Sequence, residues 1–91
     1  MGFAFEYDSS KSKSNIAKHG IDMAAVADFI FETARQSPDN RCDYGEERTI
    51  AVGYIADVLH VLIFTMRGPK VRVISLRKAS EKEREKYHGQ S

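Results

Sequence analysis

Ninety-one residues, 42% of them hydrophobic and 30% charged, are enough for one packed core, and exclude both a disordered chain and a pair of independently stable domains. A formal net charge of +1 argues against a protein drawn to nucleic acid by overall charge. The one cysteine, Cys42, excludes an internal disulfide and suits a reducing cytoplasm.

The charge is unevenly spread. Residues 1 to 65 hold six Lys/Arg against ten Asp/Glu, whereas residues 66 to 91 hold eight Lys/Arg against three Glu. This basic last quarter fits either a solvated hairpin and helix or a phosphate-binding surface. The longest apolar stretch, "VLHVLIFTM" (58 to 66), is about half of what a membrane helix requires, so no membrane span is expected. "MGFAFEYD" lacks the basic start and apolar run of a secretory signal.

In chain order, "FAFEY" (3 to 7) alternates as a first strand does. Asp8, Ser9 and Ser10 offer caps for a helix running to about His19, with Gly20 suited to the left-handed position after it. Lys11, Asn15, Lys18 and His19 then form a polar stripe where a packed helix would be apolar; solvent exposure or a polar groove both account for it. Asp22 caps a second helix whose core stripe is Met23, Val26, Ala27 and Ile30. Past a variable stretch containing Pro38, Asp39 and Asn40, strands are expected at about 47 to 55, 57 to 67 and 70 to 78, joined by tight links at Ala56-Asp57 and Gly68-Pro69 as an antiparallel meander.

If each link is centred, Gly53, His60 and Arg77 share a row. The face with Ile50, Val52, Val61, Ile63, Ile74 and Leu76 is then the one the helices cover, and the small residues Ala51, Gly53 and Ser75 leave a shallow cleft on the other. "SEKEREKY" (80 to 87) carries a capping box, Ser80 to Glu83, on a helix polar all round, which frays unless Tyr87 docks. The fold class is α+β, an N-terminal strand plus a C-terminal meander with two N-terminal helices on one face and a short C-terminal helix, in a single domain over 1 to 91.

Three histidines and one cysteine show no metal-ligand spacing, no glycine loop cradles phosphate, and Cys42 is more simply a bystander than a nucleophile. No cofactor is expected. The remaining arginines, histidines, tyrosines and the acidic turn "DYGEER" (43 to 48) suffice for metal-independent RNA cleavage, in which the substrate 2′-hydroxyl attacks and the protein supplies a base, an acid and positive charge.

"FEYD", Lys11, Asn15, "KHGI", "DYGEER", "TMRG", "RVISLRKA" and the closing Glu83, Arg84 and Tyr87 together resemble the BrnT family of small toxins from bacterial toxin–antitoxin modules, from Phe5 to Tyr87. The resemblance implies a RelE-like fold, ribonuclease activity that halts translation, and a ribbon-helix-helix antitoxin (BrnA-like) through which alone the module binds operator DNA. The family pattern covers Lys18, His19, Tyr44, Glu46, Arg48, Arg67, Arg72, Ser75, Arg77, Lys78 and Tyr87. His60 falls outside it, and Tyr7 stands where many relatives carry Trp.

Arg77 is the first candidate for a phosphate clamp, against a surface ion pair. Arg67 grips a second phosphate or stays solvated. Arg48 contacts RNA or orients Glu46, its strand parity favouring a structural ion pair. His19 has the intrinsic pKa for proton transfer, although closing a helix is reason enough for a histidine there. Glu46 is the competing base. Lys18, Arg72, Lys78 and Tyr87 complete the substrate-binding set. The alternative is a non-catalytic module of the same fold, or a ParE-type toxin acting on a protein target such as DNA gyrase.

Overall fold

The three strands expected of the meander form the centre of the sheet. In the computed structural model, which describes residues 3–89, they are β3 (Thr49–Ile55), β4 (Val58–Arg67) and β5 (Lys70–Lys78). Two flanking strands, β1 (Phe5–Glu6) and β2 (Arg35–Pro38), complete the order β1-β5-β4-β3-β2. The edge strand β1 runs parallel to β5, and the other pairs are antiparallel. The two residues at each end of the chain lie outside the described residues.

The link Ala56-Asp57 turns with positive φ at both residues, 47° and 65°. Such a turn matches the twist of its strands, and glycine or asparagine fill it without the steric cost a Cβ imposes. Ala56→Asn with Asp57→Gly is expected to raise stability by about 1 kcal/mol. An unchanged urea midpoint would count against that strain.

Helix α1 (Ser9–His19) starts and stops where its caps dictate. Asp8 accepts hydrogen bonds from the Ser10 and Lys11 amides, and Gly20, at φ 71°, ends the helix by donating to the Ile16 carbonyl. Its docking overturns the exposed reading of the polar stripe at Asn15, which is buried. The Asn15 side chain donates to the carbonyls of Ile21 (2.8 Å) and Leu76 (2.7 Å) and accepts from the Leu76 amide (3.2 Å). β1 pairs only with Val71 and Arg72, so the outer edge of β5 runs on past it. At Leu76 the Asn15 amide stands in for the peptide group of a missing neighbouring strand.

The second helix is a 3₁₀ helix (Met23–Asp28) rather than an α-helix, capped by Asp22 as expected. Three residues per turn align Met23 and Val26 with the following Phe29, and all three are buried. The expected stripe is corrected accordingly: Ala27 and Ile30 are exposed.

Both N-terminal helices cover the face opposite to the one expected. Under them lie Ala51, Leu62, Phe64, Val73 and Leu76, forming the main core with Met23, Val26 and Phe29. Gly53 belongs to this face as well. A Cβ there would sit 2.8 Å from Phe29 Cζ and 3.0 Å from Ala34 Cβ. The small residues are seats for large ones, so no cleft opens above them. The other face holds a smaller core of Leu59, Val61 and Ala79, packed with Ile50, Val52, Tyr54 and Tyr87.

A bulge explains where Arg77 ends up. Phe64 pairs with Val73 while Ile63 pairs with Ser75, leaving Ile74 as one residue too many. Gly53 does pair with His60, but the third member of that row is Lys78. Arg77 faces the other way, opposite Val61.

Candidate active site

The register on the second face builds one row across four strands: Arg35 on β2, Val52 on β3, Val61 on β4 and Arg77 on β5. Two arginines therefore flank two valines. Above the row lies helix α2 (Glu81–Gly89), entered through the expected capping box, in which Ser80 N–H donates to Glu83 and the Glu83 amide donates to Ser80 Oγ. Glu83 and Tyr87 are four residues apart and so share one side of this helix. Each braces one arginine of the row.

Glu83 takes the end of the Arg77 guanidinium, Nη1 to Oε1 and Nη2 to Oε2, both at 2.7 Å. Hydrogen bonds from Arg77, joined by the Ser80 amide and opposed by burial, hold the Glu83 carboxyl at about 2. Glu83 in turn raises the Arg77 pKa, against the positive charge of nearby Arg41. Tyr87 carries the Arg35 guanidinium over its ring, 5.6 Å from the centroid, donates its hydroxyl to the Thr33 carbonyl (2.8 Å) and meets Tyr54 edge-on. The docking that α2 needs is therefore made. The Tyr54 hydroxyl and His88 Nε2 share a further hydrogen bond at 3.1 Å.

Between β2 and α2 runs a groove of about 960 Å³ floored by Ile50 and Val52 and edged by Arg35, Lys86, Tyr87 and Glu83. At Gln36 and Ser37 it adjoins a hollow of about 550 Å³ in the loop before β3, lined by Glu46 and Arg48 among others. There Arg48 pairs with Glu46 (2.9 Å) and stacks on Tyr44, its guanidinium carbon 4.0 Å from the ring centroid. Asp39, buried, anchors this loop by accepting from Arg41 Nε and Nη2, which hold its carboxyl at about 2.

A family profile described as the ribonuclease toxin, BrnT, of type II toxin–antitoxin systems matches residues 7–83. The chain belongs to the BrnT family. The crystal structure of the Brucella abortus ribonuclease toxin BrnT is similar to it with a TM-score of 0.69 and 30% identity, over 87% of this chain and 99% of that one. A search of curated proteins finds no match. The chain is thus a ribonuclease toxin of a type II toxin–antitoxin system, with an RNA target and an antitoxin partner. Among the described residues no helix is long and apolar enough to cross a membrane.

Of the residues singled out from the BrnT motifs, Arg77 and Tyr87 meet over the second face, and Glu46 and Arg48 occupy the adjoining hollow. Arg72 lies on the same face but pairs with Glu6 at 3.2 Å, on the edge strand. Arg67 and Lys78 are at strand ends, exposed, and Lys18 and His19 close α1 on the opposite side of the sheet. His60 is buried under the helices, its Nδ1–H donating to the Val58 carbonyl at 2.7 Å. Arg35 and Arg41 escaped sequence reasoning. β2, "RQSP", is exposed at all four positions and shows no alternation, so nothing marked it as a strand whose parity would aim Arg35 at Arg77.

The bound carboxylates of Glu83 and Asp39 give the BrnT fold a defined acid sensitivity. Their folded pKa values lie below the ordinary carboxylate range, so the unfolded chain takes up protons first as pH falls. Their stabilisation is complete above about pH 5 and is lost between there and about pH 2. Thermal midpoints are expected to drop across that window, with a shallower drop in Glu83→Gln. Equal slopes for parent and variant would remove Glu83 from the account.

Proposed function

We propose that this toxin cleaves RNA without a metal ion, by attack of a 2′-hydroxyl on the adjacent phosphodiester, with Arg77 as the clamp on the transition-state phosphate. A bond forms between the 2′-oxygen and phosphorus as the bond to the 5′-oxygen breaks. The 2′-hydroxyl proton passes to a base, and the departing 5′-oxygen takes a proton from an acid. The products carry a 2′,3′-cyclic phosphate and a 5′-hydroxyl.

The observation that carries this reading is the end-on grip of Glu83 on Arg77. It consumes one N–H of each Nη, and Nη1 spends its other on the Lys78 carbonyl (3.3 Å). The side edge, Nε–H with the second Nη2–H, is left for two phosphate oxygens, in the fork geometry for which arginine is suited. Glu83 positions the clamp and, with its carboxyl held at about 2, is a poor base. Glu46, in the hollow that adjoins the groove, is the better-supported base than His19, which lies across the sheet. Arg48 orients Glu46, and Arg72, Arg67, Lys18 and Lys78 steer the strand at longer range.

As the family resemblance implies, we also assign one toxin domain to residues 1 to 91, working in the cytoplasm to stop translation, neutralised by a BrnA-like ribbon-helix-helix antitoxin that alone contacts operator DNA. Purified protein is expected to cleave RNA in EDTA at an undiminished rate and to leave cyclic phosphate ends. Activity abolished by EDTA and restored by a divalent cation would overturn the mechanism, and 5′-phosphate products would do so independently.

A further inference from the structure

We propose that Arg35, laid over the ring of Tyr87 in the groove between β2 and α2, is the platform on which a base of the RNA stacks beside the cleaved phosphate. The inference rests on the reading of Arg77 as the phosphate clamp, because the register fixes the distance between the two. Arg35 and Arg77 end the same row, three strand spacings or about 14 Å apart. A single strand of RNA gripped at Arg77 covers that distance within a few nucleotides.

The chemistry of the groove matches an unpaired nucleotide. Proteins that bind single-stranded RNA stack its bases on aromatic rings or on guanidinium planes, and they track its backbone with positive charge. Arg35 is exposed, so the guanidinium surface turned away from Tyr87 is open to a base, and Ile50 and Val52 give the groove an apolar floor. Lys86 is on the same rim for a phosphate. Tyr87 acts through Arg35: its hydroxyl proton is committed to Thr33, and its ring is closed on one side by Tyr54 and roofed by Arg35. It is a positioning residue here, and β2 is the strand that brings Arg35 to it.

The test uses the full-length protein and an oligoribonucleotide with one mapped cleavage point, together with a set in which each nearby base in turn is replaced by an abasic sugar. Arg35→Lys keeps the charge and removes the plane. It is expected to lower kcat/KM about 10-fold on the intact oligonucleotide. At one abasic position the parent should lose a similar factor and Arg35→Lys lose nothing more, because the base it would have held is gone.

Parent-like cleavage by Arg35→Lys would overturn the proposal. So would a loss that stays the same on every abasic oligonucleotide, which is the result of a merely structural or electrostatic role. If Arg77→Ala cleaves like the parent while the abasic pattern holds, the clamp fails and the base platform stands, so the two readings fail separately.

Discussion

Arg77→Lys is expected to cleave RNA about 10²–10³ more slowly than the parent under single-turnover conditions, while unfolding at nearly the parent's temperature. A lysine at this position retains the positive charge and one contact to Glu83, so α2 stays docked through Tyr87 and the capping box. It cannot offer two parallel N–H groups to a phosphate while holding a carboxylate, and that is the property the mechanism needs. Arg77→Ala should be as slow, and less stable as well, because it leaves the half-buried Glu83 without its main partner. Measuring both variants separates the fork from the ion pair. A lysine variant that cleaves at the parental rate would eliminate the clamp.

The largest effect on stability is expected at Asn15→Leu. The two side chains are similar in size, but leucine leaves the Leu76 N–H and C=O and the Ile21 C=O without their partners. Each buried polar group left unpaired costs about 1–3 kcal/mol, so a loss of about 3 kcal/mol or more is expected. That is a large share of the 5–15 kcal/mol typical of a small domain. The loss should be local to begin with, since Asn15 is what fastens α1 to the strand carrying Arg77. Urea denaturation reads the total, and hydrogen exchange of the Leu76 amide reads the site. A midpoint within experimental error of the parent's would show that water replaces the asparagine at no cost.

Much of the fold was legible because local chemistry was unambiguous. Alternation and two tight links gave β3, β4 and β5 to within two residues, and Asp8, Gly20 and the Ser80–Glu83 box gave the helix ends. Three features were hidden for physical reasons. β2 is a fully exposed edge with a proline, so it has no period to detect. The helix-covered face was misassigned because small residues were taken as empty space, when Gly53 is small so that Phe29 can rest on it. The 3₁₀ helix obeys a three-residue period that an α-helical stripe mimics over one turn.

The candidate site suffered from the same causes. Arg77 stood out by residue type and Tyr87 by its place on the last helix, yet both were expected on surfaces they do not share with His60 or His19. Arg35 was invisible because its strand was. Glu83 was recognised only as a cap, and its second task, bracing Arg77 end-on, depends on a contact between the last strand and the last helix that no local pattern encodes.

The surplus residue at Ile74 makes the count between Arg72 and Arg77 a functional quantity in its own right. Shorten that interval by one and the pleat would send the guanidinium toward the helical layer, away from the groove, with motif order, composition and charge almost untouched. A gene that lost this single codon would encode a protein of familiar appearance and blunted toxicity. Searches that score which motifs are present, without measuring the intervals that separate them, would count such a chain among the active ones.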